Sequence, residues 1–308
     1  MDTIVVSPTD LVRRFIFEDR PVRGHWVRLG AAWRDLRTHT RYPALVSELL
    51  GQAVAASVLL AATLKFRGTL TFQLQGNGAV SLLVAQCTHD FRLRAVARCD
   101  AARLEALSCG EGSAPFRQLV GSDGRVTVTV EAEEKSLRYQ GVVPLVGSSL
   151  SESLENYFAS SEQLPTRVLL ASDEGSCAGV LVQKLPGDAA GDTEEAAAAW
   201  QAAQEGIGAL STAELLARPV EDLLGRGFRG RDLRLFRGAQ VSFECRCSPG
   251  RVAGLLRALG AEEVRDVLKE QGAVTVTCEF CQRPYRFDAV DVEALFKESP
   301  PNGSVAIH

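Results

Sequence analysis

The sequence predicts an α+β protein in three parts. These are an N-terminal mixed α/β domain over residues 1–186 with a largely antiparallel sheet, a helical linker over 187–240, and a small cysteine-bearing domain over 241–308. Three observations carry this. Strand-like runs outnumber helical ones in the first part and follow one another through short turns, which favours antiparallel pairing over a doubly wound sheet. Composition shifts after Pro186 towards Gly, Asp and then alanine. Four cysteines fall into two close pairs near the C-terminus, Cys245-Arg246-Cys247 and Cys278-Glu279-Phe280-Cys281.

In the first part, the apolar run from Pro43 to Lys65 predicts a helix. Its most hydrophobic stretch, Leu49 to Leu64, is interrupted by Gly51, Gln52, Ser57 and Thr63 and reads as a buried core helix too short to span a bilayer. Strands are expected at Gly68–Leu74, Ala79–Ala85, Phe91–Ala97, Arg125–Val130, Tyr139–Leu145, Arg167–Ala171 and Val180–Leu185. Gln75-Gly76-Asn77-Gly78 supplies the turn between the first two, because Asn and Gly tolerate the positive φ of a tight hairpin. Ser149 with Glu152 behind it reads as a helix cap, opening a helix to about Ser161.

The linker opens with the turn-like Gly187 to Asp192, and Thr193-Glu194-Glu195 then caps an alanine-rich helix containing Trp200. Ser211-Thr212-Ala213-Glu214 is a second capping signature, and Val220–Leu224 a third helical segment before the run Gly225 to Arg231. Alanine forms helices readily but has little side chain to bury, so such helices are weakly held to their neighbours. In the last part a strand is expected at Val241–Glu244, helices from Pro249 to Leu259 and Ala261 to Glu270, a hairpin carrying Cys278 and Cys281, and a helix from Asp288 to Phe296.

Thiolate sulfur suits a tetrahedral zinc ion, and two close cysteine pairs separated by a folded segment are the usual construction of a structural zinc site. Here the separation, Ser248 to Thr277, is 30 residues. The first pair is unusual in having one intervening residue. Residues i and i+2 of an extended strand share a face, so both thiols can reach one metal, and their Cα atoms lie about 6.6 Å apart. That is near the upper limit for a disulfide, so oxidation requires the backbone to bend. Spacing alone leaves a purely structural zinc ribbon beside a site that changes shape on oxidation. A module of some 68 residues also needs the metal to hold together. The expected metal ligands are therefore Cys245, Cys247, Cys278 and Cys281, with one zinc per chain. Cys87, Cys99, Cys109 and Cys177 are scattered singly and read as core or incidental residues.

Composition narrows the function. The net charge is −4 over 308 residues, and residues 241–308 carry 8 Lys/Arg against 10 Asp/Glu. A ribbon that grips phosphates is expected to be basic, which argues against a constitutive nucleic-acid module, the alternative reading. The four histidines (His25, His39, His89, His308) are dispersed, and neither a phosphate-cradling loop nor a nucleophile–base pair is visible, so no enzyme and no ATP site are expected. Met1-Asp2-Thr3 lacks a basic leader signature, and eight cysteines favour a reducing compartment. A cytoplasmic, non-membrane protein is expected.

Further motifs carry a resemblance. They are Arg14 to Glu18 with Val22-Arg23-Gly24, Thr63 to Gly68, Gln73 to Gly78, Arg138 to Val143, and Tyr157-Phe158 with Ser161 to Arg167, together with the C-x-C and C-x-x-C pairs. Through nearly its whole length the chain resembles the 33 kDa chaperonin family, redox-regulated heat-shock holdases. The resemblance implies a substrate-binding α/β domain, a metastable helical linker packed on it, and a zinc-binding redox-switch domain that holds the linker in place. It implies activation by oxidants combined with unfolding stress, without ATP. Redox disulfides are then expected as Cys245–Cys247 and Cys278–Cys281. Expected partners are unfolding client proteins and, on oxidative activation, a second copy of the chain. Ser151-Glu152-Ser153 holds no cysteine, so no thiol role is expected there.

Overall fold

A computed structural model describes residues 10–18, 20–108, 116–133, 138–186 and 194–297. Cys109, His308, Gly187 to Asp192 and the Thr193 cap lie outside them. The chain divides into two compact units, residues 1–244 and 245–308.

The first unit opens with a hairpin, β1 (Leu11–Phe17) and β2 (Val22–Leu29), followed by α1 (Ala31–Thr38) and α2 (Ala44–Thr63). Next come β3 (Gly68–Gln75), β4 (Val80–Thr88), β5 (Arg92–Cys99), α3 (Ala101–Ser108), α4 (Phe116–Val120), β6 (Arg125–Ala132) and β7 (Arg138–Pro144). Helix α5 (Leu150–Tyr157) runs into a π-helical turn at Phe158–Glu162, and the hairpin β8 (Thr166–Ser172) and β9 (Cys177–Lys184) follows. Helices α6 (Glu194–Gly208), α7 (Thr212–Ala217) and α8 (Val220–Gly227) lead to the short strands β10 (Leu233–Leu235), β11 (Ala239–Gln240) and β12 (Ser242–Phe243).

These strands form two six-stranded sheets. The first has the order β10-β1-β2-β9-β8, with β11 also on β1; the second has the order β12-β5-β4-β3-β6-β7. Every pairing is antiparallel except β12 with β5. The largely antiparallel α+β architecture expected from the sequence is therefore present, with two sheets in place of one. Ser242 and Phe243, expected to open the C-terminal module, belong to the second of these sheets, in parallel with Arg92 and Leu93.

Helix α2 packs against strands of both sheets. Val54, Val58, Leu59 and Leu60 are fully enclosed, so the helix is apolar all round and shows no amphipathic stripe. At 20 residues it is long enough to cross a bilayer by length and composition, contrary to the shorter span read from the sequence. Burial inside the fold accounts for that composition: 78% of its most apolar window is buried. The cap of α1 comes from Asp10, whose Oδ1 accepts from the backbone N–H of Gly30 and Ala32 (both 2.9 Å).

The hairpin β1–β2 was not legible as strands, and its surroundings say why. One face of the first sheet contributes Val12, Val27 and Leu29 to the core around α2. The other buries Phe15, Phe17, Val22 and Trp26 against α6, α7 and α8. With both faces covered, apolar and polar residues do not alternate. Gly24 is required here because the Phe15 ring lies across it; a Cβ would sit 2.1 Å from Phe15 Cζ. Phe228, at the end of α8, packs edge-on to Phe17 at 5.3 Å and reaches Phe15 at 5.9 Å.

Helix α7 forms as its capping residues predict. Ser211 and Glu214 make a full capping box at α7, and Pro219 precedes α8. Their anchors are Ile207, Leu210, Leu215, Leu223, Leu224 and Phe228, all buried, whereas Trp200 is only half-buried.

Candidate metal centre

The second unit contains α9 (Pro249–Leu259), α10 (Ala261–Gln271), β13 (Val274–Thr277), β14 (Pro284–Phe287) and α11 (Ala289–Lys297). Its core is small: Leu256, Val264, Val274, Val292 and Leu295 are the buried members. The ion pair of Arg265 with Glu293, at 2.8 and 3.1 Å, is exposed and adds little.

Two local structures present the thiols. Cys245 and Cys247 lie in the extended segment before α9, whose N-cap Ser248 accepts from Arg251 N at 3.3 Å and whose first residue is Pro249. Arg251 Nη1 also donates to the Arg246 carbonyl at 2.7 Å, fixing the residue between the two cysteines. Cys278 and Cys281 lie in the knuckle joining β13 to β14. Backbone bonds from Cys278 N to Arg283 O (3.0 Å) and from Gln282 N to Cys278 O (2.8 Å) close this turn, with Gln282 at φ 53°.

All four sulfurs lie within 4.8 Å of one another. Cys245 to Cys247 is 3.4 Å, Cys245 to Cys278 is 3.6 Å, and Cys247 to Cys281 is 3.4 Å. A tetrahedral zinc ion with Zn–S bonds of about 2.3 Å has sulfur–sulfur edges of about 3.8 Å. The donor set therefore fits zinc in number, chemistry and spacing. None of these distances is a disulfide, which requires about 2.05 Å, and the described cysteines are all free.

Electrostatics distinguish the thiols. Burial opposes ionisation of Cys247, but hydrogen bonds from the Tyr285 hydroxyl (3.0 Å) and the other three thiols outweigh it and hold the group at about 7. Burial raises Cys245, and pushes Cys281 up to about 12. The cluster thus holds one readily formed thiolate, Cys247, beside the less acidic Cys245 and Cys281, and a cation would favour their ionisation. Tyr285 was read from the sequence only as part of a strand. Its position four residues beyond Cys281, across a hairpin whose register pairs Val276 with Tyr285, is the signal that could have marked it.

The other candidates separate cleanly. Cys87 and Cys177 are buried in the first unit, where burial raises both thiols, and Cys99 is half-buried and also raised by burial. His25 is buried in β2, His39 packs on Phe243 at 5.6 Å, and His89 Nδ1 accepts from Gly68 N at 3.2 Å. Each of these three has a separate structural setting. In the cysteine-free segment Ser151-Glu152-Ser153, Ser153 donates its hydroxyl to the carbonyls of Val146 (2.7 Å) and Ser149 (3.1 Å).

A family model described as Hsp33 protein matches residues 10–288. A 33 kDa chaperonin of Nitrosococcus oceani is 42% identical over 291 residues, covering 94% of this chain and 95% of the relative. One from Chromobacterium violaceum is 40% identical over 289 residues, covering 93% and 94%. Among solved structures, the 33 kDa chaperonin of Thermotoga maritima superposes with a TM-score of 0.80 at 24% identity, covering 94% of this chain and 98% of that one, a likeness of fold.

Proposed function

The chain belongs to the Hsp33 family of 33 kDa chaperonins, and on that premise we propose that it is a redox-regulated, ATP-independent holdase rather than an enzyme. The observation that carries the proposal is the gathering of four thiols within 4.8 Å in a unit whose hydrophobic cluster has five buried members.

Cys245, Cys247, Cys278 and Cys281 hold one zinc ion in the reduced protein. When bound, zinc cross-links the two halves of the unit and contributes on the order of 10–16 kcal/mol of folding energy, as in small zinc peptides at neutral pH. Thiolate sulfur is the group that peroxide attacks. Two thiolates, one hydrogen peroxide and two protons give one disulfide and two waters: an S–S bond forms as the O–O bond breaks. Two such steps join Cys245 to Cys247 and Cys278 to Cys281 and remove the ligands. The knuckle accepts its disulfide easily, whereas the C-x-C pair must bend.

A unit with so small a core then loses its fold. The linker helices, alanine-rich and held by a short set of anchors, lose the ordered segment that follows them in the chain. Their release uncovers Phe15, Phe17, Trp26 and the apolar face of β9, a surface suited to unfolding proteins. The test is zinc content together with suppression of client aggregation, before and after peroxide at elevated temperature. Both must change together. Full aggregation suppression by the reduced, zinc-loaded chain would refute the redox control.

A further inference from the structure

The face of the first sheet beneath the linker helices carries a one-sided charge. Arg13, Arg28, Arg167 and Lys184 share that face by strand alternation with Phe15, Trp26, Leu169 and Val182, and no strand of the sheet has an Asp or Glu. The chain as a whole has a net charge of −4, so this is a local concentration. The helices that cover the sheet have the opposite bias, with six Asp/Glu against two Arg over Glu194–Gly227. Glu221 of α8 meets Arg13 at 2.6 Å, and Glu195 of α6 meets Arg20 at 3.1 Å.

Arg28 is treated differently. It is buried on β2 with its guanidinium 5.6 Å from the Trp26 ring. Nη1 donates to the carbonyls of Arg218 (2.8 Å) and Leu216 (3.4 Å), and Nε has no hydrogen-bond partner among the described residues. Trp26 Nε1 beside it is likewise buried and unpartnered. The nearby carboxylate of α7, Glu214, is engaged by Arg218 (3.4 Å) and Arg226 (2.6 Å). The linker therefore supplies carboxylates to two arginines around this face and only neutral carbonyls to the one at its centre. A buried cation without a counter-charge is costly, and a carboxylate satisfies it better than a carbonyl does.

We infer that this face, once vacated by the linker, selects client segments in which a carboxylate lies among apolar side chains, with Arg28 as the residue that reads the carboxylate. The inference rests on the holdase reading. In it the linker acts as an imperfect stand-in for the client: apolar, acidic, and short of one carboxylate where Arg28 lies. Phe15, Phe17 and Val182 would receive the apolar side chains, and Arg28 with Trp26 Nε1 would receive the anion.

The experiment uses the full chain after peroxide oxidation and zinc removal. Two fluorescent peptides of identical Leu, Val and Phe content, one with two Glu and the other with two Gln at the same positions, are titrated by fluorescence anisotropy at low salt. The Glu peptide is expected to bind about tenfold tighter, the scale of one charge-assisted hydrogen bond. Arg28→Met should bring that ratio close to one. Arg13→Gln should reduce it by a smaller factor, and serves as the readout if Arg28→Met does not fold. Equal affinity for both peptides while the protein still suppresses aggregation would overturn the carboxylate preference alone. An unchanged ratio in Arg28→Met would remove Arg28 from the role. Competition by a short single-stranded RNA at lower concentration than the Glu peptide would reassign the face to nucleic acid. Loss of both peptide binding and aggregation suppression would contradict the holdase reading itself.

Discussion

The two units obtain their order from different sources. In the first, α2 is enclosed by strands of two six-stranded sheets, and Trp33, Phe72, Leu59 and Leu60 are among its buried side chains. In the second, a cluster of five buried side chains and a two-stranded hairpin accompany four gathered thiols. A core of the first kind has no single point of failure, because each contact is a small part of the total. On the proposed reading, a core of the second kind depends on four sulfur atoms that an oxidant attacks. The linker stands between these cases. It packs on the first sheet through a shared cluster that includes Phe228 and Leu223. The difference teaches that one chain can contain a stable support and a removable part without any change of fold class.

The largest expected effect breaks the second unit alone. Cys278→Ser, or a chelator that outcompetes thiolates, removes on the order of 10–16 kcal/mol of zinc-linked folding energy. Nuclear magnetic resonance should show collapsed amide dispersion for residues after Cys245 and native dispersion for β3 to β6. Cys87→Ser, a change in β4 of the first unit, should leave the zinc content at one per chain.

A smaller change should loosen the linker while the metal stays. Phe228→Ala removes a buried ring that touches both Phe15 and Phe17, a loss of about 3–5 kcal/mol at a site of this kind. The variant should hold clients without oxidant, with zinc still bound. Trp200→Ala, by contrast, acts on a half-buried side chain and should do less. If the two variants behave alike, the anchors of the linker have been misidentified.

The first unit has its own weak condition, acid. Burial, then the charges of Arg23 and Arg14, lower His25 to about 4. An unfolded histidine titrates near 6.5, so as pH falls through that value the unfolded chain takes up a proton that the folded chain refuses. Stability is full above about pH 6.5, declines down to about pH 4 and is not lost further below, with a total near 3 kcal/mol. Urea midpoints against pH should show this slope in wild type and not in His25→Gln.

Last in size is the capping box. Ser211→Ala removes the acceptor for Glu214 N and should cost α7 about 0.5–2 kcal/mol. Faster amide exchange confined to α7 and its neighbours would sharpen the linker's place between the two units.

Much of this was legible in the sequence, unevenly. The hairpin of β3 and β4, the α2 helix, the linker caps and the spacing of the four cysteines each have a local signal: a turn dipeptide, an apolar run, a Ser–Glu pair, a thiol pair. The β1–β2 hairpin had none, because both its faces are covered and its arginines interrupt the apolar residues. The second sheet likewise could not be separated from the first, since sheet membership is decided by what packs on either side of α2. Val241–Glu244 looked like the start of the last module because it precedes Cys245 directly, yet Ser242 and Phe243 pair with β5. Tyr285 and Arg28 show the same limit: their roles come from partners 38 and at least 188 residues away in sequence.

The central claim is an order of events: oxidation removes the second unit first, the linker next, and the first unit last. Amide hydrogen exchange on the peroxide-oxidised chain measures it directly. Protection should be lost in α9 to α11 and β13–β14, reduced in α6 to α8, and retained in α2 and β3 to β6. Loss of protection in α2 while α6 to α8 remain protected would contradict the account.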